Sequence, residues 1–139
     1  MNRIRDSFAK QGMMQSFGAE LSEIAPGRIV ITAPITPAAS QQHGFAHAGL
    51  TFALGDSAAG YSALSLMAEG DEVLTAEMKI NLLAPADGVR LVATGSVEKP
   101  GRRLMVTRAT VETEYADGRR REVAILQGTM VPISGAPKP

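Results

Sequence analysis

The chain has 139 residues, 45% apolar and 20% charged, the balance of one soluble globular domain spanning residues 1–139. Fourteen Lys and Arg offset fourteen Asp and Glu, which removes any global electrostatic case for a nucleic-acid or anionic-membrane partner. With no Cys there is no disulfide, thiolate metal site or Cys nucleophile, and two His are too few for a poly-His zinc site, so neither metal nor cofactor is implied.

The amino terminus, MNRIRDSFAKQG, is charged from its third residue and has no apolar core. It does not read as a secretory signal, and a cytoplasmic protein is expected. Residues 2–14 are predicted as a short surface helix, with Ile4 and Phe8 on one side and Asp6 and Lys10 placed for an i,i+4 ion pair. A strand near 16–24 follows, alternating Phe17, Ala19 and Leu21 against Gly18, Glu20 and Ser22. Ala25-Pro26-Gly27 is a turn, and Arg28–Ile35 a second strand ended by Pro34 and Pro37.

Residues 37–46 form a polar loop. A long helix is predicted from Ala46–Ala48 to Glu69-Gly70, where Gly is the stop signal. Four strand-like runs come next, at 72–83, 88–99, 103–116 and 121–133. Pro85-Ala86-Asp87-Gly88, Lys99-Pro100-Gly101 and Asp117-Gly118 separate them. Short turns predict that these four pair as an antiparallel meander. Pro132–Pro139 reads as a frayed tail. The architecture that fits is α+β: one curved antiparallel sheet wrapped around one long buried central helix.

That helix holds the most informative residue. From Phe45 to Ala68 the only acid is Asp56, and the stretch has no Lys or Arg. A carboxylate among apolar residues costs free energy unless it is hydrogen-bonded, paired or used. The stretch is long enough to span a membrane, but Asp56 near its middle would cost about 2.5–3.5 kcal/mol on insertion scales. A helix buried in a soluble core is the simpler reading. His47 and Asp56 are nine residues apart, so on one helix they lie about 13 Å apart along the axis and on opposite faces. They cannot touch one small group within a single chain. If both act on it, the site combines two chains. Otherwise Asp56 is a buried acid bonded to hydroxyls or backbone, and His47 a helix cap.

The segment Gln41-Gln42-His43-Gly44-Phe45-Ala46-His47-Ala48-Gly49, followed by Leu50 to Asp56, resembles the hot-dog-fold acyl-CoA thioesterases, specifically the PaaI-like subgroup of the phenylacetate pathway. Their pattern is Asn or Gln, a Gly three residues before a His, His-Gly-Gly, and an acid nine residues after the His. Gln41, Gly44, His47, Ala48-Gly49 and Asp56 fall at those spacings, with Ala48 in place of the usual first Gly. Thr75-Ala76-Glu77-Met78-Lys79-Ile80-Asn81 and Leu83-Ala84-Pro85-Ala86 are similar to the strand and turn after the family's catalytic helix.

The resemblance implies the hot-dog fold, an acyl-CoA substrate, and a homodimer or homotetramer with sites at the dimer interface. Asp56 would be nucleophile or general base, and the Ala48 N–H would meet the thioester oxygen. Gln41 and His47 would fix the helix start and polarise the carbonyl, while Thr75 would hold the attacking water. Gly44 and Gly49 would contact substrate. Lys99, Arg102 and Arg103 are candidates for the coenzyme A phosphates, as is the Arg119-Arg120-Arg121 run. His43 has no role, and Met13-Met14 belong to packing or an acyl-pocket wall. Two other functions fit the same residues: a hot-dog hydratase or dehydratase, and a non-catalytic acyl-CoA-binding module.

Overall fold

Alternation of Ile29, Ile31 and Ala33, and of Leu91, Ala93 and Gly95, gives two adjacent strands a continuous apolar face. The computed structural model describes residues 1–134. Its elements are α1 (Asn2–Phe8), α2 (Gly12–Ser16), β1 (Glu20–Ala25), β2 (Arg28–Pro34), a 3-10 turn (Pro37–Ala39), α3 (Ala48–Leu64), β3 (Asp71–Leu82), β4 (Arg90–Lys99), β5 (Met105–Glu114) and β6 (Arg120–Ser134). The six strands make one antiparallel sheet in the order β1-β2-β4-β5-β6-β3. Helix α3 packs against β2, β3, β4, β5 and β6, the expected helix-in-sheet arrangement.

The expected four-strand meander is corrected. Only β4, β5 and β6 follow one another; β3 pairs with β6 at the sheet edge, and β4 pairs with β2. The segment between β3 and β4 is a crossover rather than a hairpin. Leu83 N–H donates to Val123 O in β6, Ala46 N–H to Ala86 O at the foot of α3, and Ile35 N–H to Val89 O beyond β2. Pro85 suits this path, since it has no N–H to leave unpaired.

The predicted 2–14 helix is two short helices with a break at residues 9–11. Lys10 therefore lies past the end of α1, and the i,i+4 geometry with Asp6 is lost. Nor is the segment a surface one. Ile4 and Met14 are fully buried in the core, whereas Met13 points outward.

Helix α3 also stops earlier than predicted, at Leu64. The reason is Arg3, whose guanidinium donates to the carbonyls of Leu64, Met67 (2.7 Å) and Ala68 (2.7 Å). A cation satisfying terminal carbonyls favours the helix end through both hydrogen bonds and the dipole. Arg3→Ala is expected to lower stability by about 1–2 kcal/mol in denaturant unfolding, and to speed amide exchange in residues 2–16. Unchanged exchange there would show that Ile4 and Met14 alone hold the segment.

At the other end of the chain, Pro132 falls within β6 instead of a tail; residues 135–139 of the predicted tail lie outside the described residues.

Small residues let α3 sit very close to the sheet. A Cβ on Gly95 would lie 2.2 Å from the backbone of Ala58, and one on Gly55 would lie 2.8 Å from Leu126. Most of α3 is buried, but a stripe containing Gly49, Phe52, Ala53, Asp56 and Ser57 is left partly or wholly uncovered. No helix among the described residues is long and apolar enough to cross a membrane.

Candidate active site

The start of α3 is built by the loop before it. Gln41 N–H donates to Phe45 O and Gly44 N–H to Gln41 O, each at 2.9 Å, closing a tight turn. Gly44 has φ +82°, a left-handed conformation that favours glycine. The Gln41 Oε1 accepts from the N–H groups of His43 (2.6 Å) and Phe45 (3.3 Å). Its Nε2 has no partner among the described residues and is free to donate.

His47 is the N-cap. Its Nδ1 accepts the Gly49 N–H at 2.8 Å, while the N–H groups of Leu50 and Thr51 donate to its carbonyl. A Cβ on Gly49 would lie 3.0 Å from that Nδ1, a tight contact from which the ring would have to shift slightly, so glycine favours the cap. An accepting Nδ1 leaves the proton of the neutral ring on Nε2. The Ala48 N–H is then the one donor of the first turn without a partner among the described residues. It, Gln41 and His47 border a cleft of about 480 Å³ together with Thr51, Leu82 and Pro85.

Asp56 faces a different, smaller cleft of about 210 Å³. Thr75 Oγ1 donates to Asp56 Oδ1 at 2.8 Å. This contact depends on a β-bulge between Thr75 and Glu77. Without it, Thr75 would share the outer face with Glu77, Lys79 and Asn81, which line a cleft on that side of the sheet. Burial pushes the Asp56 carboxyl above the usual range, and the Thr75 hydroxyl pulls it part of the way back. Within one chain, His47 and Asp56 thus open into separate clefts.

The cleft beside Asp56 has further polar walls that sequence reasoning missed. Tyr61 Oη accepts from Gln11 Nε2 at 2.6 Å and pairs with Ser7 Oγ at 3.1 Å. Ser7, Gln11, Gly60, Tyr61 and Glu72 all border the cleft. Tyr61 is five residues beyond Asp56 on the same helix, roughly 140° round the axis, so helical spacing does not mark it either. Nothing local marks Ser7 or Gln11, because their position depends on how the amino-terminal segment docks.

The basic candidates are divided between the two ends of the molecule. Lys99, Arg102 and Arg103 are exposed around the β4–β5 connection. Arg102 borders a cleft with Leu66, Met67 and Ala68, beyond the carboxyl end of α3 and away from Gln41 and Ala48. Arg119 and Arg120 sit at the opposite end, where they pair with Asp117 and Glu114 at 2.7 Å. His43 is exposed on the loop.

A family model described as Thioesterase superfamily matches residues 43–116, more than half of the chain. The chain belongs to the thioesterase superfamily. The match runs from His43 across the helix start, Asp56 and Thr75, and leaves Gln41 and the amino-terminal segment outside. A thioesterase family protein from Silicibacter pomeroyi is 44% identical, with a TM-score of 0.92 over 95% of this chain and 96% of that one. The PaaI protein of the Escherichia coli phenylacetic acid degradation operon is 22% identical, with a TM-score of 0.81 over 94% and 91%. A Haemophilus influenzae thioesterase is 18% identical, with a TM-score of 0.83 over 95% and 90%. These last two share the fold with this thioesterase. No curated protein matches the chain. The resemblance to the hot-dog thioesterases is borne out, and the enzyme is a thioester hydrolase.

For such an enzyme the Thr75 contact has a measurable consequence. Thr75→Val keeps the shape and removes the hydroxyl, so the Asp56 carboxyl should titrate higher still. With Asp56 as the group that must be ionised for activity, as proposed below, the acidic limb of the kcat/KM profile should move to higher pH, with activity lowered along that limb. A limb that stays in place would show that Asp56 is not the group titrating there.

Proposed function

We propose that this thioesterase hydrolyses acyl-coenzyme A to a free acid and coenzyme A, with Asp56 as the reacting carboxylate. The observation that carries the reading is the Thr75–Asp56 hydrogen bond on the uncovered stripe of α3. Ionised Asp56 either attacks the thioester carbon or takes a proton from a water held with Thr75. The negative charge that develops on the carbonyl oxygen is met by the Ala48 N–H at a helix amino terminus, aided by Gln41 Nε2. His47 holds the helix start in shape through its cap on Gly49. The thiolate of coenzyme A then leaves. In the general-base route it takes the proton that Asp56 drew from water. In the nucleophilic route a water afterwards cleaves the acyl–Asp56 anhydride, releasing the free acid, returning the carboxylate and supplying the proton to the thiolate.

The two halves of this machinery face different clefts, so each working site joins the helix start of one copy to Asp56 of another. Two observations support a second copy as the missing part. Strand β3 is a sheet edge with unpaired backbone groups. Leu74 and Leu82 on it are more than half exposed, at 54% and 58%, and Phe52 beside Asp56 is also uncovered. A dimer or dimer of dimers would cover them. Lys99, Arg102 and Arg103 remain the candidates for the phosphates of coenzyme A, presented by whichever copy brings them near.

Thiol release, followed with a thiol reagent over a panel of acyl-CoAs, tests the reading. Hydrolysis liberates one thiol per substrate. A hydratase or dehydratase would change the acyl group and release none, and a binding module would do neither. Either of those outcomes would refute the proposal.

A further inference from the structure

Helix α3 contains three glycines, at 49, 55 and 60. Glycine in a helix is disfavoured relative to alanine, so each needs a reason. Two have one inside the chain: Gly49 makes room for the His47 ring, and Gly55 for Leu126. Gly60 does not. Apart from its chain neighbours Ala59 and Tyr61 and the helix's own backbone, no heavy atom of the described residues lies within 4 Å of where its Cβ would be. Its φ is ordinary for a helix, so no left-handed conformation demands glycine either. Yet Gly60 borders the cleft that holds Asp56, four residues further along the helix. Four residues place it on the same face, about 6 Å along the axis.

We propose that Gly60 is a specificity-determining residue: its missing side chain leaves room for the acyl group of the substrate, at the carbons next to the thioester carbonyl. The inference rests on the reading of Asp56 as the reacting carboxylate. The chemistry of the cleft says which end of an acyl-CoA enters it. Asp56 and Glu72 both border it, and no Lys or Arg among the described residues does. The anionic phosphates of coenzyme A are repelled from such a surface, whereas an uncharged acyl group is not. Acyl groups carrying a second carboxylate are repelled for the same reason. The substrates are therefore neutral acyl groups with bulk beyond acetyl close to the carbonyl.

The test is Gly60→Ala, compared with wild type on acetyl-CoA and 2-methylpropanoyl-CoA. One added methyl in a fitted pocket discriminates by roughly 10- to 200-fold. The ratio of kcat/KM for the branched substrate to that for acetyl-CoA is expected to fall at least tenfold, with a melting temperature equal to or above that of wild type. Gly55→Ala, the packing control, should lower the melting temperature. An unchanged ratio overturns the proposal. So does an equal loss on both substrates, which would put the pantetheine arm there, or a loss that follows dissociation of the oligomer, which would put the partner copy there. If wild type releases no thiol from any acyl-CoA, the functional reading fails instead. Gly60 is then tested by calorimetry with the thioethers S-ethyl-CoA and S-(2-methylpropyl)-CoA: selective weakening of the larger in Gly60→Ala supports the proposal, and equal binding, or none of either, overturns it.

Discussion

Asp56→Asn is expected to abolish thioester hydrolysis while the protein still folds and assembles. Asn keeps the size of the side chain, and its carbonyl oxygen can still accept the Thr75 hydroxyl. It cannot attack a thioester or take a proton from water. A general base contributes roughly 10²–10⁴-fold and a nucleophile at least as much. Residual activity above a tenth of wild type would sink the assignment. Stability should move the other way. Burial raises the Asp56 carboxyl above the usual range in the folded state. Below the ordinary Asp pKa of about 3.9 both folded and unfolded chains hold the proton, and the neutral group costs little. As pH rises through the raised folded-state value, the unfolded chain has released its proton more readily, and stability is lost. Asp56→Asn is free of that loss. Its advantage in denaturant unfolding should be largest near neutral pH and shrink toward pH 3. A wild type more stable than Asp56→Asn at pH 7 would mean that the ionised carboxylate is needed for the fold.

Ala48→Pro should remove the proposed oxyanion donor without harming the helix. Ala48 is the first residue of α3, where proline is tolerated because the N–H has no partner inside the helix. The residue before it is His47, at φ −63° and ψ 142°, a conformation that proline accepts in its neighbour. The cap from His47 to the Gly49 N–H is untouched. Losing one such donor costs about 10²–10³-fold in kcat, or roughly 2.7–4 kcal/mol. Ala48→Gly, which keeps the N–H, should lose far less. The pair of lesions also tests whether sites are shared. Mixing Asp56→Asn subunits with Ala48→Pro subunits, with exchange confirmed, should give heterodimers in which one site is intact and the other carries both lesions. Activity should approach half of wild type per heterodimer. No recovery would place both groups in sites built from one chain.

The parts legible from sequence are those set by local pattern. The lone acid in an apolar stretch pointed to Asp56, and strand-like runs between Gly and Pro breaks located the last five strands. The first, expected from about residue 16 on the alternation of Phe17, Ala19 and Leu21, begins only at Glu20, because Gly12–Ser16 is helical and Phe17 caps it. The misses are long-range. Ser65, Leu66, Met67 and Ala68 read as more helix, and nothing local says otherwise. Their carbonyl neighbourhood is taken by Arg3, 61 residues before Leu64. Pro85-Ala86-Asp87-Gly88 reads as a hairpin turn, yet β3 gains more by pairing along its whole length with β6. Thr75 alternates in sequence with Glu77, Lys79 and Asn81, so only resemblance singled it out. One bulged residue turns it to the inner face.

The approach of Gly95 to Ala58 has a consequence for how this enzyme can vary. There backbone meets backbone, so peptide groups rather than side chains set the spacing between helix and sheet. Asp56 stands two residues before that contact. A core residue such as Leu91, which pairs with Ala33 and Thr113, can be exchanged for one of similar volume, and the stability will shift, without carrying the carboxylate toward or away from Thr75. Met130 is different, because its Sδ meets the Thr75 hydroxyl at 3.3 Å. The carboxylate is mechanically insulated from drift in that part of the core. The changes that would move the Asp56 carboxylate relative to Thr75 are those at the contact itself, such as a side chain at 95, and those at Leu126 or Met130 beside the pair.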